Sequence, residues 1–176
     1  LLLAGSLYQN RAEWNWLKAE NALVRKEFPT AYVEAKKGLA LSPDHSKLQA
    51  LFAETVMHQL SVDSTGAILL LNDAERALRK AIAAAPRDRT PYIRLGEVLL
   101  RQGRYREVIE VAAKAGELSP NHAYPYDLQG QAHEAMGDLQ KAVECYEAAL
   151  RRAPLKATRE RWNSVRARLT APPRSP

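Results

Sequence analysis

A fixed step of 34 residues constrains this chain more than any other feature. Pro86, Pro120 and Pro154 keep that step. So do the pairs Gly96 and Gly130, Tyr92 and Tyr126, and Ala115 and Ala149. Recurrence of four residue types at one period marks a repeat architecture, in which each unit is one supersecondary element. Within a unit the pattern reads as two short helices and a tight turn. Gly103-Arg104 separates the helical run Tyr92, Leu95, Val98, Leu99 from the run Tyr105, Val108, Ile109, Ala112. Gly137-Asp138 separates Tyr126–Met136 from Leu139–Arg151 in the same way.

Each recurring residue has a physical reason. A glycine in the first helix has no Cβ and lets the partner helix approach closely, and recurring alanines do the same on the second helix. Proline disfavours helix at the residue before it and so ends the second helix. One such unit cannot bury its apolar face alone, so about three or more must stack.

The pattern resembles the tetratricopeptide repeat. One unit gives Tyr92, Leu95, Gly96 and Leu99, then Val108, Ala112, Ala115 and Pro120. The next gives Tyr126, Gly130 and His133, then Ala142, Tyr146, Ala149 and Pro154, with Gln129 where leucine is usual. The resemblance implies an all-α fold: a right-handed superhelical solenoid of antiparallel helix pairs.

The rest of the chain is placed by the same count. Residues of about 9–43 form a degenerate unit closed by Pro43, with Ala31, Ala35 and Gly38 on its second helix and Ala19 in place of the first-helix glycine. Residues 44–86 exceed the period by nine. The surplus is expected as a loop over Ser61–Gly66 and an extra helical turn from the apolar run Ala67–Leu71. That run is read as added core, the alternative being an exposed apolar patch. Residues 87–120 and 121–154 are regular. A capping helix follows over about 155–170, with Leu155, Trp162, Val165 and Leu169 closing the last repeat and an Arg-rich face toward water. Residues 171–176 read as a disordered tail. The whole of 1–170 is thus expected as one domain.

Charge narrows the function classes. Of the net charge of +6, +5 lies after Pro154, where Lys156, Arg159, Arg161, Arg166, Arg168 and Arg174 meet only Glu160. The repeat body is nearly neutral, which argues against a nucleic-acid partner despite the basic average. The lone Cys145 can form no internal disulfide and reads as a packed, inert thiol. Leu1–Leu3 is too short for a membrane span. It reads as an ordinary helix start, the sharper alternative being the stub of a longer, membrane-tethered protein. The compartment stays open between cytoplasm and periplasm. His45, His58, His122 and His133 have no metal-site spacing, and no phosphate-binding glycine loop opens a helix. The sequence therefore points to no enzyme, no cofactor, no metal and no small-molecule substrate.

What the resemblance implies instead is a scaffold that binds a peptide or helix of a partner in a concave groove lined by the first helices. Carried onto this sequence, the groove positions are Glu13, Trp16, Glu20 and Leu23; Lys47, Glu54, Met57 and His58; Thr90, Ile93, Arg94, Glu97, Leu100 and Arg101; and Tyr124, Asp127, Gln131 and Glu134. The Lys and Asn pair with which some members grip a terminal carboxylate is absent, Trp16/Glu20, Ala50/Glu54, Ile93/Glu97 and Asp127/Gln131 standing there. Glu20, Glu54 and Glu97 recur at one position, which favours a basic or neutral peptide. Three alternatives accompany this reading: an accessory repeat domain of a larger bacterial assembly or transferase, RNA binding through the Arg-rich end, and self-association.

Overall fold

The computed structural model describes residues 2–62 and 67–170, with side chains at 11–60 and 67–170. The tail at 171–176 and most of the expected loop, residues 63–66, lie outside the described residues. Within them the chain forms nine helices and no strand: α1 Leu2–Val24, α2 Phe28–Leu41, α3 Ser46–Val62, α4 Ala67–Ala84, α5 Arg89–Arg101, α6 Tyr105–Leu118, α7 Tyr124–Ala135, α8 Leu139–Leu150 and α9 Lys156–Thr170. This is an all-α helical-repeat fold. The helices gather into two compact units, one up to Val98 and one from Leu99, divided within α5.

In the first unit α1 packs on α2, α2 on α3, α3 on α4, and α1 reaches α3. Its core is built from small side chains that let helix axes come close: Ala12, Ala19, Ala31, Ala35, Ala53, Ala74 and Ala81 are fully buried. Pro29 sits in the first turn of α2, where a missing N–H costs nothing. Two expectations change here. α3 continues through Val62, so Ser61 and Val62 are helical rather than loop. The run Ala67–Leu71 does open α4, but only Leu71 enters the core, whereas Ile68 and Leu69 are 76% and 72% exposed.

In the second unit α6 packs on α7, α7 on α8, and α8 on α9. Tyr146 of α8 lies fully buried with Ala142 and Val165, and Leu139, Val143 and Trp162 pack around them. Its ring occupies the space left by Gly130 of α7.

The turns inside three pairs share one hydrogen-bond pattern. Arg104 N donates to Leu99 O and Gly103 N to Leu100 O; Asp138 N donates to His133 O and Gly137 N to Glu134 O. Glu27 N donates to Ala22 O and Lys26 N to Leu23 O in the first pair. This helix-ending motif requires a left-handed residue. Gly103 and Gly137 supply it at φ 74° and 84°, and Lys26 occupies the same register at φ 61°, a conformation costly for a side chain.

Candidate functional site

The groove positions carried onto this sequence lie on α1, α3, α5 and α7. In the first unit this brings several of the expected residues together. Lys47 of α3 holds its ammonium 5.7 Å from the centre of the half-buried Trp16 ring of α1. Nε2 of the His45 imidazole lies 3.1 Å from the carboxylate of Glu13 on α1. Arg94 of α5 bridges two carboxylates, Glu54 of α3 at 2.8 Å and Glu97 at 3.1 Å. Arg94 and Glu54 are each about 30% exposed. Glu20 is exposed, Met57 half-buried and Ile93 nearly buried. His58 is turned to a different contact, stacked flat on Phe28 of α2 with ring centres 4.6 Å apart. Thr90 is exposed. The strip so formed carries Glu13, Glu20, Glu54 and Glu97 against Lys47 and Arg94, an acidic excess around an aromatic anchor.

The second unit treats its groove positions differently. Asp127 of α7 is 1% exposed and fully engaged. It accepts from Thr158 Oγ1 at 2.7 Å, from Gln131 Nε2 at 2.7 Å and from Arg161 Nη1 at 3.2 Å. Glu134 accepts from the Tyr146 hydroxyl at 2.8 Å and from Arg168 at 2.9 Å. Burial, then the hydrogen bond and negative charge of Glu134, push the Tyr146 phenol well above the usual tyrosine range. Tyr124 is half-buried and Arg101 exposed. Leu100, Tyr105, Gln131, Glu134, Ala135, Arg161 and Arg168 line an open depression of about 550 Å3.

The sequence places Arg161 and Arg168 on a face toward water; in the structure they stay 39% and 51% exposed and also reach carboxylates of α7. The period itself contains the signal. Arg161 stands 34 residues after Asp127, and Arg168 stands 34 after Glu134. Extending the repeat count past Pro154 makes α9 the first helix of a further unit, with arginines at two groove positions. A third arginine, Arg166, lies over the Trp162 ring at 5.0 Å. Much of the basic end is thus engaged within the chain. Burial, then the charge of Glu144, raises the Cys145 thiol above its ordinary value, which keeps it protonated and unreactive. Among the described residues no group of three or more His, Cys, Asp or Glu could hold a metal ion. No helix among them is long and apolar enough to cross a membrane.

Paired helices, a repeated helix-ending turn and register-matched faces on successive first helices define a helical-repeat protein. The tetratricopeptide repeat model matches residues 123–155, the α7–α8 pair and its flanks. The same fold recurs in solved tetratricopeptide-repeat structures. A thermophilic tetratricopeptide-repeat protein of Thermus thermophilus, TTC0263, is 20% identical, covering 92% of this chain and 88% of its own, with a TM-score of 0.73. MamA of Desulfovibrio magneticus RS-1 is 18% identical, covering 90% and 85%, with a TM-score of 0.72. The first such domain of Spaghetti (RPAP3), solved with the HSP90 peptide SRMEEVD, is 17% identical, covering 70% and 94%, with a TM-score of 0.59. At these identities the likeness is one of fold. No curated protein matches the chain in sequence.

Proposed function

We propose that this chain is a protein-interaction scaffold that docks a peptide or short helix of a partner along the first-helix strip of its first unit. The observation that carries the reading is the alignment there: Trp16 with Lys47, and Glu54 with Arg94 and Glu97, lie on three successive first helices and stay partly exposed. An aromatic anchor ringed by paired charges suits recognition in which apolar contact supplies affinity and charge sets register. The acidic excess favours a basic segment with one apolar anchor residue. A peptide bound to a solved domain of the same fold supports this mode of use. The second unit contributes less, because α9 already engages Asp127 and Glu134.

The test is a peptide array varied in charge and apolar content, followed by anisotropy titration of its best binder. Basic peptides with an apolar anchor are expected to bind most tightly. Trp16→Ala and Glu54→Lys should each weaken binding by about tenfold or more, in line with loss of an interface anchor. Unchanged affinity in both variants refutes the assignment of this strip.

A further inference from the structure

α1 carries two opposite faces, and among the described residues only one is buried. Ala12, Ala19 and Ala22 are buried at 0%, 0% and 4% against its neighbours. On the other side Trp14, Leu17 and Val24 are 58%, 41% and 79% exposed, and Asn21 is exposed with them. The same register positions are covered elsewhere. Leu48, Leu51 and Thr55 of α3 match Trp14, Leu17 and Asn21, and are 0%, 9% and 0% exposed. Leu48 sits against Gly38 of α2, and Pro125 of α7, the counterpart of Trp14, sits against Gly116 of α6. In α3 and α7 this face meets a preceding second helix, while in α1 it lies open.

The open face has an order of its own. Trp14, Leu17, Asn21 and Val24 are spaced 3, 4 and 3, and the sequence continues the alternation back through Asn10, Leu7 and Leu3. Among the residues with described side chains this is heptad spacing over Trp14–Val24 of α1. One flank of the seam carries Glu13 and Glu20; the other carries Arg11 and Lys18, with Arg25 one residue beyond the end of α1. In a parallel pair of such helices the acidic flank of one meets the basic flank of the other, Glu13 opposite Lys18 and Glu20 opposite Arg25. An antiparallel pair would set Glu against Glu and cation against cation. A polar asparagine inside an apolar seam, as at Asn21, fixes register and strand number.

We propose that the exposed face of α1 is a dimerisation seam that pairs in parallel with α1 of a second copy of this chain. The apolar line supplies the attraction, and the two charged flanks choose the orientation and the partner. The acidic flank shares Glu13 and Glu20 with the peptide strip, but the apolar line at Trp14, Leu17 and Val24 lies on another side of the helix from Trp16. The Trp14 and Leu17 changes therefore test the seam and Trp16→Ala tests the strip, so either reading can fail alone.

Mass of the full chain by light scattering over a range of concentrations is the first measurement, and a dimer is expected. Trp14→Asp with Leu17→Asp should give a monomer of unchanged helical circular dichroism. Two charge variants test the flanks. Glu13→Lys with Glu20→Lys makes both flanks basic, and Lys18→Glu with Arg25→Glu makes both acidic. Each should be a monomer alone, and the mixture should form a one-to-one heterodimer. Asn21→Cys in a Cys145→Ser chain should cross-link to a disulfide dimer under mild oxidation, since a parallel seam places the two positions side by side. A monomer at all concentrations overturns the proposal. So does a dimer indifferent to the Trp14 and Leu17 changes, a mixture that stays monomeric, or failure of the Asn21→Cys chain to cross-link.

Discussion

Gly130→Ala tests the closest helix approach in the second unit. A Cβ built on Gly130 falls 2.5 Å from both Cδ1 and Cε1 of Tyr146 and 3.1 Å from Cζ. Ordinary carbon contacts lie at about 3.5–4.0 Å, so the ring must retreat by roughly 1 Å. It has little room to do so. Tyr146 is fully buried among Ala142 and Val165, and its hydroxyl is held 2.8 Å from Glu134, which Arg168 holds in turn. Overpacking a core of this kind costs about 1–3 kcal/mol, and a fixed ring belongs to the upper part of that range. Replacing a mid-helix glycine by alanine returns about 1 kcal/mol of helix propensity. The net expectation is a loss of roughly 1–2 kcal/mol, read from urea unfolding followed by circular dichroism. Tyr146→Leu should relieve the clash, so the double variant should be more stable than the sum of the single losses predicts, by about 1 kcal/mol. Gly130→Ala as stable as the parent, or strict additivity in the double variant, would refute the packing argument.

Lys26→Gly should stabilise the chain by about 1 kcal/mol in urea unfolding, because Lys26 holds at φ 61° the left-handed position that Gly103 and Gly137 hold elsewhere. Gly137→Ala should cost about as much, from backbone alone, since nothing lies within 4 Å of the added Cβ. Tyr146→Phe should be less stable than the parent by about 1.5–3 kcal/mol at neutral pH, the worth of a hydrogen bond to a charged group. The phenol is raised above its unfolded value, so its contribution is full below about pH 10 and is lost as pH rises beyond it; the gap between parent and variant should therefore narrow in alkali. Asp127→Ala should strip α9 of its anchor and speed amide exchange in 156–170 well before the rest of the second unit, because Thr158, Gln131 and Arg161 all lose their shared acceptor.

Most of the fold is legible in the sequence because one period governs it. Proline, glycine and alanine at a constant step mark where helices end and where they touch, and both are local properties. The first pair is legible despite its degeneracy, since Ala19 and Lys26 keep the register of Gly130 and Gly137 while changing the residue. What stays hidden depends on partners far along the chain. Asp127 reads as one more groove acid, and only the arrival of Arg161 and Thr158 from α9 makes it a buried anchor. Ile68 and Leu69 read as core by composition, yet both are largely exposed at the start of α4. The start of the expected loop at 61–66 falls inside α3, which runs on through Val62 although serine and valine are weak helix formers.

The proposed binding strip of the first unit is made of first-helix side chains at matched register. The most direct test is chemical-shift mapping of the full chain with the best basic peptide from the array. The largest shifts are expected on the Trp16 indole, the Met57 methyl and the amides around Lys47, Glu54 and Arg94. Shifts confined to the α4 start at Ile68 and Leu69, or to α9, with the Trp16 indole unmoved, would contradict it.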